Sequence, residues 1–197
     1  MTNRIILAAL LAVVAAPAAS QTASQAPKDD LVRVAIETDK GRIVVALDRG
    51  RAPLTTANFL AYVDKKWLDG QPFYRAMPFA SGGLIQGGVR DGAKQLAPIA
   101  IETTATTGLS NKAGAIVMAN AGGMTTRSDF FILTTDVASF DATTGQPGFA
   151  PFGRVVEGME VVQAIFASPR SPTKGEGVMK GQMLDPVVKI VKAARIR

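Results

Sequence analysis

The chain has 197 residues, of which 47% are hydrophobic and 19% charged; this length suits one domain, and the balance excludes disorder along the whole chain. It contains no cysteine and no histidine, which excludes disulfides, a thiol nucleophile, a Ser-His-Asp triad and the commonest metal ligands. The formal charge is +6, but the basic residues are scattered without a stripe, so we expect no nucleic-acid partner. We also expect no metal and no cofactor.

The first twenty residues have the pattern of an export signal. Arg4 supplies a positive charge, Ile5 to Ala16 form an apolar run, and small residues 18–20 follow Pro17. The run is too short for about 30 Å of hydrocarbon, and polar residues 21–30 follow it at once, which disfavours a membrane anchor or a buried helix. We therefore predict a signal peptide at 1–20, a linker at 21–30 and a periplasmic or secreted protein that leaves the membrane after cleavage.

The next segments predict a hairpin followed by a helix. Apolar residues alternate over Val32–Ile36 and again over Ile43–Leu47, with turn residues at positions 39–41 between them. After Pro53, a residue suited to a first helical position, the period changes, and residues 54–64 present one apolar helix face.

The remainder of the chain is glycine-rich and carries short strand-like pieces such as Ala115–Met118 and Phe130–Leu133. Many short strands without alternating helices favour a closed barrel or a sandwich. We predict a second helix at Glu157–Ala167 and a last strand at Val187–Val191, all within one domain at 31–197.

Two stretches have an unusual composition for a simple core. Residues 73–88 set Arg75 and Gln86 among apolar residues, a pattern that a surface cation lying across apolar surface would also produce. Residues 118–131 combine small residues with the pair Phe130-Phe131. Because adjacent strand residues face opposite sides, one of these rings must point inward, while the other is available to a site or to further packing.

These stretches resemble the cyclophilin family of peptidyl-prolyl isomerases. The matching motifs are Phe73-Tyr74-Arg75, Pro78, Leu84-Ile85-Gln86-Gly87-Gly88, Met118-Ala119-Asn120-Ala121 and Ser128-Asp129-Phe130-Phe131-Ile132, and the spacing from Met118 to Phe131 has no gap. The resemblance covers nearly all of 31–197. It implies a mainly β fold, a closed eight-stranded antiparallel barrel capped by two α-helices, which acts as a monomer on proline-containing polypeptides.

The resemblance also implies the role of individual residues. Arg75 would be catalytic, Gln86 and Asn120 would hold the substrate backbone, and Ala119 and Ala121 would leave room for the residue before proline. The proline pocket would be lined by Leu84, Phe131 and Phe140, and Phe149 stands where the family commonly has a histidine or a tyrosine that borders this pocket.

Four positions depart from the family pattern. Tyr74 replaces a histidine, and five residues at 79–83 stand where the family has two, so that Phe79 is the candidate for a missing pocket aromatic. Ser139 replaces an aromatic residue, which predicts weak inhibition by cyclosporin. Asp129 replaces a glutamine, and it would either orient Arg75 by a charge-assisted hydrogen bond or compete with the substrate for it.

Isomerisation of a prolyl bond suits this composition, because it needs no covalent step. A guanidinium that hydrogen-bonds the prolyl nitrogen favours the twisted amide and lowers a barrier of about 18–20 kcal/mol. Two other functions stay open: a proline-peptide-binding or chaperone module with little turnover, and a ligand-carrying β-barrel unrelated to proline.

Overall fold

The computed structural model describes residues 30–120 and 122–197. The expected signal peptide, almost all of the expected linker and Ala121 lie outside the described residues. The described part contains these strands: β1 Leu31–Thr38, β2 Gly41–Asp48, β3 Pro72–Phe79, β4 Gly82–Gly87, β5 Ile99–Ala100, β6 Ala115–Met118, β7 Thr125–Thr126, β8 Phe130–Leu133, β9 Ala150–Glu157 and β10 Met183–Ile196. Its α-helices are α1 Pro53–Asp64, α2 Thr104–Thr107 and α3 Met159–Phe166.

Eight of these strands close into an antiparallel barrel, as the family resemblance implied. The order around it is β1-β10-β3-β4-β8-β6-β9-β2, while β5 and β7 form a separate two-stranded sheet. The predicted hairpin is confirmed: β1 pairs with β2 from Leu31–Asp48 to Thr38–Gly41, and residues 39 and 40 form the turn. Closure gives every barrel strand two neighbours, so the barrel has no free edge.

Alternation along the strands separates an inner from an outer apolar cluster. On β8 Phe130 and Ile132 join the barrel core, whereas Phe131 and Leu133 belong to a second cluster on the outer face. The same division places Ile85 of β4 inside and Leu84 outside. Phe59 of α1 closes the inner core against Phe130, with ring centroids 5.3 Å apart. This outer cluster is where the candidate site lies.

Two helices cap opposite ends of the barrel. α1 follows the end of β2, and α3 follows the end of β9, which lies beside the start of β2 because Val44 pairs with Glu157. α1 buries Phe59, Tyr62 and Val63, as its predicted apolar face requires, and α3 buries Val162 and Ile165.

The structure corrects the bounds of two predicted elements and adds a third element. The second helix begins at Met159 rather than at Glu157, because Glu157 ends β9 and Gly158 turns the chain with a φ of +84°. The predicted strand at 187–191 is the middle of the longer β10, which pairs with both β1 and β3. The single-turn helix α2 was not predicted.

Candidate active site

The outer cluster forms an apolar patch over β4, β6 and β8, which we call the aromatic patch. Its floor is Phe131 and Leu84, which are 2% and 3% exposed. Three half-buried rings stand around that floor: Phe79 at the end of β3, and Phe140 and Phe149 from the connection between β8 and β9. The backbone bond from the N–H of Phe149 to the carbonyl of Phe140, at 2.9 Å, brings the last two together.

The rings of the patch meet mostly edge to face. The ring centroid of Phe131 lies 5.3 Å from that of Phe149 and 6.0 Å from that of Phe140. Phe79 stands perpendicular to Phe140 at 5.7 Å. The extra residues at 79–83 lengthen the β3–β4 hairpin, because Phe79 pairs with Gly82, and this places the Phe79 ring against the patch. Its part in substrate binding stays a prediction.

Arg75 lies beside this patch on the same outer face. β3 pairs with β4 so that Arg75 is opposite Gln86, and Nη1 of Arg75 donates to Oε1 of Gln86 at 2.9 Å. Its Nη2 also lies 3.1 Å from the sulfur of Met77, a member of the aromatic patch. Partial burial lowers the pKa of the Arg75 guanidinium, but an arginine side chain stays protonated in proteins.

A second glutamine, which the sequence did not single out, fixes the rest of the guanidinium. Oε1 of Gln182 accepts from Nε of Arg75 at 2.8 Å and from Nη2 at 2.6 Å. The side-chain nitrogen Nε2 of Gln182 in turn donates to the backbone carbonyl of Val178 at 2.7 Å. The backbone carbonyl of Gln182 accepts from the N–H of Ala76. Gln182 and Arg75 are 107 residues apart, so no local motif could reveal the pair.

Asp129 does not orient Arg75, contrary to one of the two roles expected for it. Its Oδ2 accepts from the hydroxyl of Tyr74 at 3.2 Å and lies 3.7 Å from Nη1 of Arg90. The register of β3 shifts by one residue here, so that Tyr74 is an extra residue without a partner on β4, as in a β-bulge. Arg90 completes the group by lying over the Tyr74 ring, 4.6 Å from its centroid.

Burial is the largest cause of the pKa shifts of Asp129 and Tyr74. It raises the pKa of the Asp129 carboxyl, and the nearby Arg90 charge and the Tyr74 hydrogen bond act in the opposite direction. It also raises the pKa of the Tyr74 hydroxyl, and the Asp129 charge adds to that rise. Tyr74 is therefore a neutral hydrogen-bond donor at neutral pH.

A cavity of about 480 Å³ continues from Gln86 along the loops that follow β4 and β6. Ala119 and Asn120 line it together with Arg90 and Asp129. The side chain of Asn120 holds the loops, because its Nδ2 donates to Gly148 O at 3.0 Å and its Oδ1 accepts from Gly122 N at 2.9 Å. A contact from Asn120 to a substrate backbone therefore falls to its main-chain groups. Ala121 lies outside the described residues.

Within residues 30–120 and 122–197, acidic side chains form no group of three that could hold a metal ion. No helix in this part of the chain is long and apolar enough to cross a membrane.

Comparison with known proteins places the chain in a defined group. A family model described as cyclophilin type peptidyl-prolyl cis-trans isomerase/CLD matches residues 33–194. Peptidyl-prolyl cis-trans isomerase A of Dickeya dadantii is 34% identical over 167 residues, which cover 81% of this chain and 83% of that protein. Peptidyl-prolyl cis-trans isomerase cyp18 of Streptomyces antibioticus is 36% identical over 148 residues, covering 72% of this chain and 87% of that protein.

The fold has a close counterpart among solved structures. A cyclophilin type peptidyl-prolyl cis-trans isomerase of Cryptosporidium parvum, crystallised in the presence of the dipeptide Ala-Pro, superposes with a TM-score of 0.68 at 20% identity. The match covers 84% of this chain and 99% of that one.

Proposed function

Since this chain belongs to the cyclophilin type peptidyl-prolyl cis-trans isomerase family, we propose that Arg75 is its catalytic residue and that the aromatic patch receives the substrate proline. The protein is a peptidyl-prolyl cis-trans isomerase, as its relatives are. One observation carries the proposal: the Arg75 guanidinium is fixed by two glutamines at the edge of the aromatic patch.

The proposed reaction uses only the charge and the N–H groups of Arg75. Partial double-bond character holds the X-Pro bond planar, and rotation breaks this resonance and returns a lone pair to the prolyl nitrogen. A guanidinium N–H that points at that nitrogen binds the twisted amide more strongly than the planar one, so it lowers the barrier selectively. No proton is transferred, and the charge of arginine does not vary at working pH.

The neighbouring groups would hold the substrate while the bond rotates. Oε1 of Gln86 already accepts from Arg75, so its Nε2 group is the part that can donate to a substrate carbonyl. The rings of Phe131, Phe140 and Phe149 offer the apolar contact that a prolyl ring needs. In the Cryptosporidium parvum structure the accompanying dipeptide is Ala-Pro, which supports proline-containing polypeptides as the substrates here.

Arginine substitution tests the catalytic assignment. Arg75→Ala removes the donor, and we expect kcat/KM for a short X-Pro peptide to fall at least about 100-fold, as for the loss of a charged transition-state contact. Arg75→Lys keeps the charge but has no planar fork, and we expect it to recover only part of that loss. A protease-coupled assay or NMR exchange measures the rates.

The outcomes of that assay separate the proposed function from its alternative. If Arg75→Ala accelerates isomerisation as well as the wild type does, Arg75 is not catalytic. If the wild type binds the peptide but does not accelerate it, the protein is a proline-peptide-binding or chaperone module instead.

The clients proposed for this enzyme are exported proteins, in the periplasm or outside the cell. The support is the sequence of residues 1–20, which combines Arg4, the apolar run from Ile5 to Ala16 and a site of small residues. N-terminal sequencing of the protein from the exported fraction should begin near Gln21. A protein that keeps Met1 and stays in the cytoplasm would refute the location without touching the isomerase assignment.

A further inference from the structure

A second cavity, of about 470 Å³, lies on the outer face of the barrel away from Arg75, and we call it the basic groove. It spans β2, β9 and β6, which follow one another around the barrel on the side opposite β3. Ala46 and Ala115 form part of its floor, and both pair with Arg154 in the strand between them. Two methyl side chains beside one long side chain leave the space that the groove occupies.

One cation of the groove is held rigidly. The side chain of Asp48 is 5% exposed, and its carboxylate accepts from Nε of Arg51 at 2.6 Å and from the Arg51 backbone N–H at 2.9 Å, while Nη2 of Arg51 lies 2.5 Å from Oδ2 in an ion pair. Asp48 is the one carboxylate among the residues that line the groove, and these contacts with Arg51 occupy it. The Arg51 side chain is 37% exposed and lines the groove.

The other two cations have no partner within the described part of the chain. Lys112 and Arg154 line the groove and are exposed, and the side chain of neither forms an ion pair or a hydrogen bond to any described residue. Three positive side chains therefore surround one concave surface, and only Arg51 is neutralised. Such an arrangement produces a positive potential that attracts anions, and the concave wall concentrates it.

The rest of the wall limits the kind of anion. Leu31, Leu109 and Pro151 supply apolar surface, and Leu31 is 46% exposed. The volume lies in the range of about 300–1,000 Å³ that small-molecule sites occupy. Arginine and lysine bind the oxygen atoms of carboxylate and phosphate groups by charge-assisted hydrogen bonds.

We propose that the basic groove between β2, β9 and β6 is a binding site for a small oxyanion, a carboxylate- or phosphate-bearing molecule, held by Lys112 and Arg154 beside the fixed Arg51. The site is separate from Arg75, so binding does not require isomerase activity. The inference does not depend on the proposed function.

The test uses the folded protein and two probes, citrate for the carboxylate class and inorganic phosphate for the phosphate class. Each is titrated by ¹H–¹⁵N NMR against a chloride solution of equal ionic strength. We expect saturable shifts of the backbone amides of Lys112 and Arg154 with at least one probe, and the stronger probe identifies the class. Arg75→Ala should bind that probe as the wild type does.

Two double variants make the test specific. Lys112→Gln with Arg154→Gln should weaken binding at least about tenfold, the change expected for losing charge-assisted contacts, and should leave kcat/KM unchanged. Lys189→Gln with Lys192→Gln changes the net charge equally, at exposed positions of β10 that do not line the groove, and should bind like the wild type. Shifts that stay linear, that chloride reproduces, or that both double variants reduce equally would overturn the proposal.

Discussion

Gln182→Leu removes the acceptor that orients Arg75 while keeping a side chain of similar size. The guanidinium then loses the bonds from its Nε and Nη2 and keeps the one to Gln86. A hydrogen bond to a charged group contributes about 1.5–3 kcal/mol. Because Arg75 is half-buried and water can replace part of this interaction, we take that range as the total for both bonds rather than for each one.

Because Gln182 orients the Arg75 guanidinium, we expect the free energy of its hydrogen bonds to stabilise the transition state. We then expect kcat/KM to fall about 10- to 150-fold, since about 1.4 kcal/mol corresponds to a factor of ten in rate. The loss should lie mainly in kcat, because the aromatic patch that binds proline is unchanged. Combining Gln182→Leu with Arg75→Ala should cost no more than Arg75→Ala alone, as expected for a residue that acts through another.

The assay is protease-coupled isomerisation of an X-Pro peptide, with urea unfolding to show that the variant is folded. Gln163→Leu, at an exposed position of α3, is the matched control and should keep the wild-type rate. A folded Gln182→Leu protein with the rate of the wild type would refute the positioning role. An additive loss in the double variant would mean that Gln182 acts independently of Arg75.

Three further predictions concern the patch, its charged neighbour and the hairpin. Phe131→Ala should lower the free energy of unfolding by about 3–5 kcal/mol in urea titration, because Phe131 is 2% exposed. It should also raise KM, because Phe131 forms the floor of the aromatic patch. An unchanged KM would show that Phe131 is not part of the substrate-binding surface. Burial raises the pKa of Asp129, so the folded state holds more protons and loses stability as pH rises from the unfolded value, about 3.9, through the folded one. Asp129→Asn should therefore be more stable than the wild type at pH 7 and equal to it near pH 3.5; lower stability at pH 7 would mean that the Asp129 contacts outweigh burial. Gly83→Ala should lower the free energy of unfolding by about 1–3 kcal/mol, because the new methyl group would overlap Met77 O and lie 2.5 Å from the Phe166 ring. The control Gly92→Ala places its methyl group in open space and should change the free energy of unfolding by no more than about 0.5 kcal/mol. Equal effects of the two substitutions would contradict the close packing around Gly83.

The fold could be predicted from the sequence because its elements depend on local patterns. Alternation over 32–36 and 43–47 identified the first hairpin, and the change of period after Pro53 identified α1. The pair Phe130-Phe131 predicted that one ring enters the core and the other faces out, and the structure has this arrangement. Closure into a barrel, rather than a sandwich, followed from the family resemblance and not from periodicity.

The sequence by itself, through its resemblance to the cyclophilin family, determined Arg75 as the candidate catalytic residue, and a chain without histidine or cysteine is consistent with that role. Only the tertiary structure decided what holds Arg75. Gln182 reaches it through the pairing of β3 with β10, and Asp129 accepts from the hydroxyl of Tyr74 instead of orienting Arg75. Such contacts depend on strand register and closure across the whole chain, which composition and local periodicity do not encode.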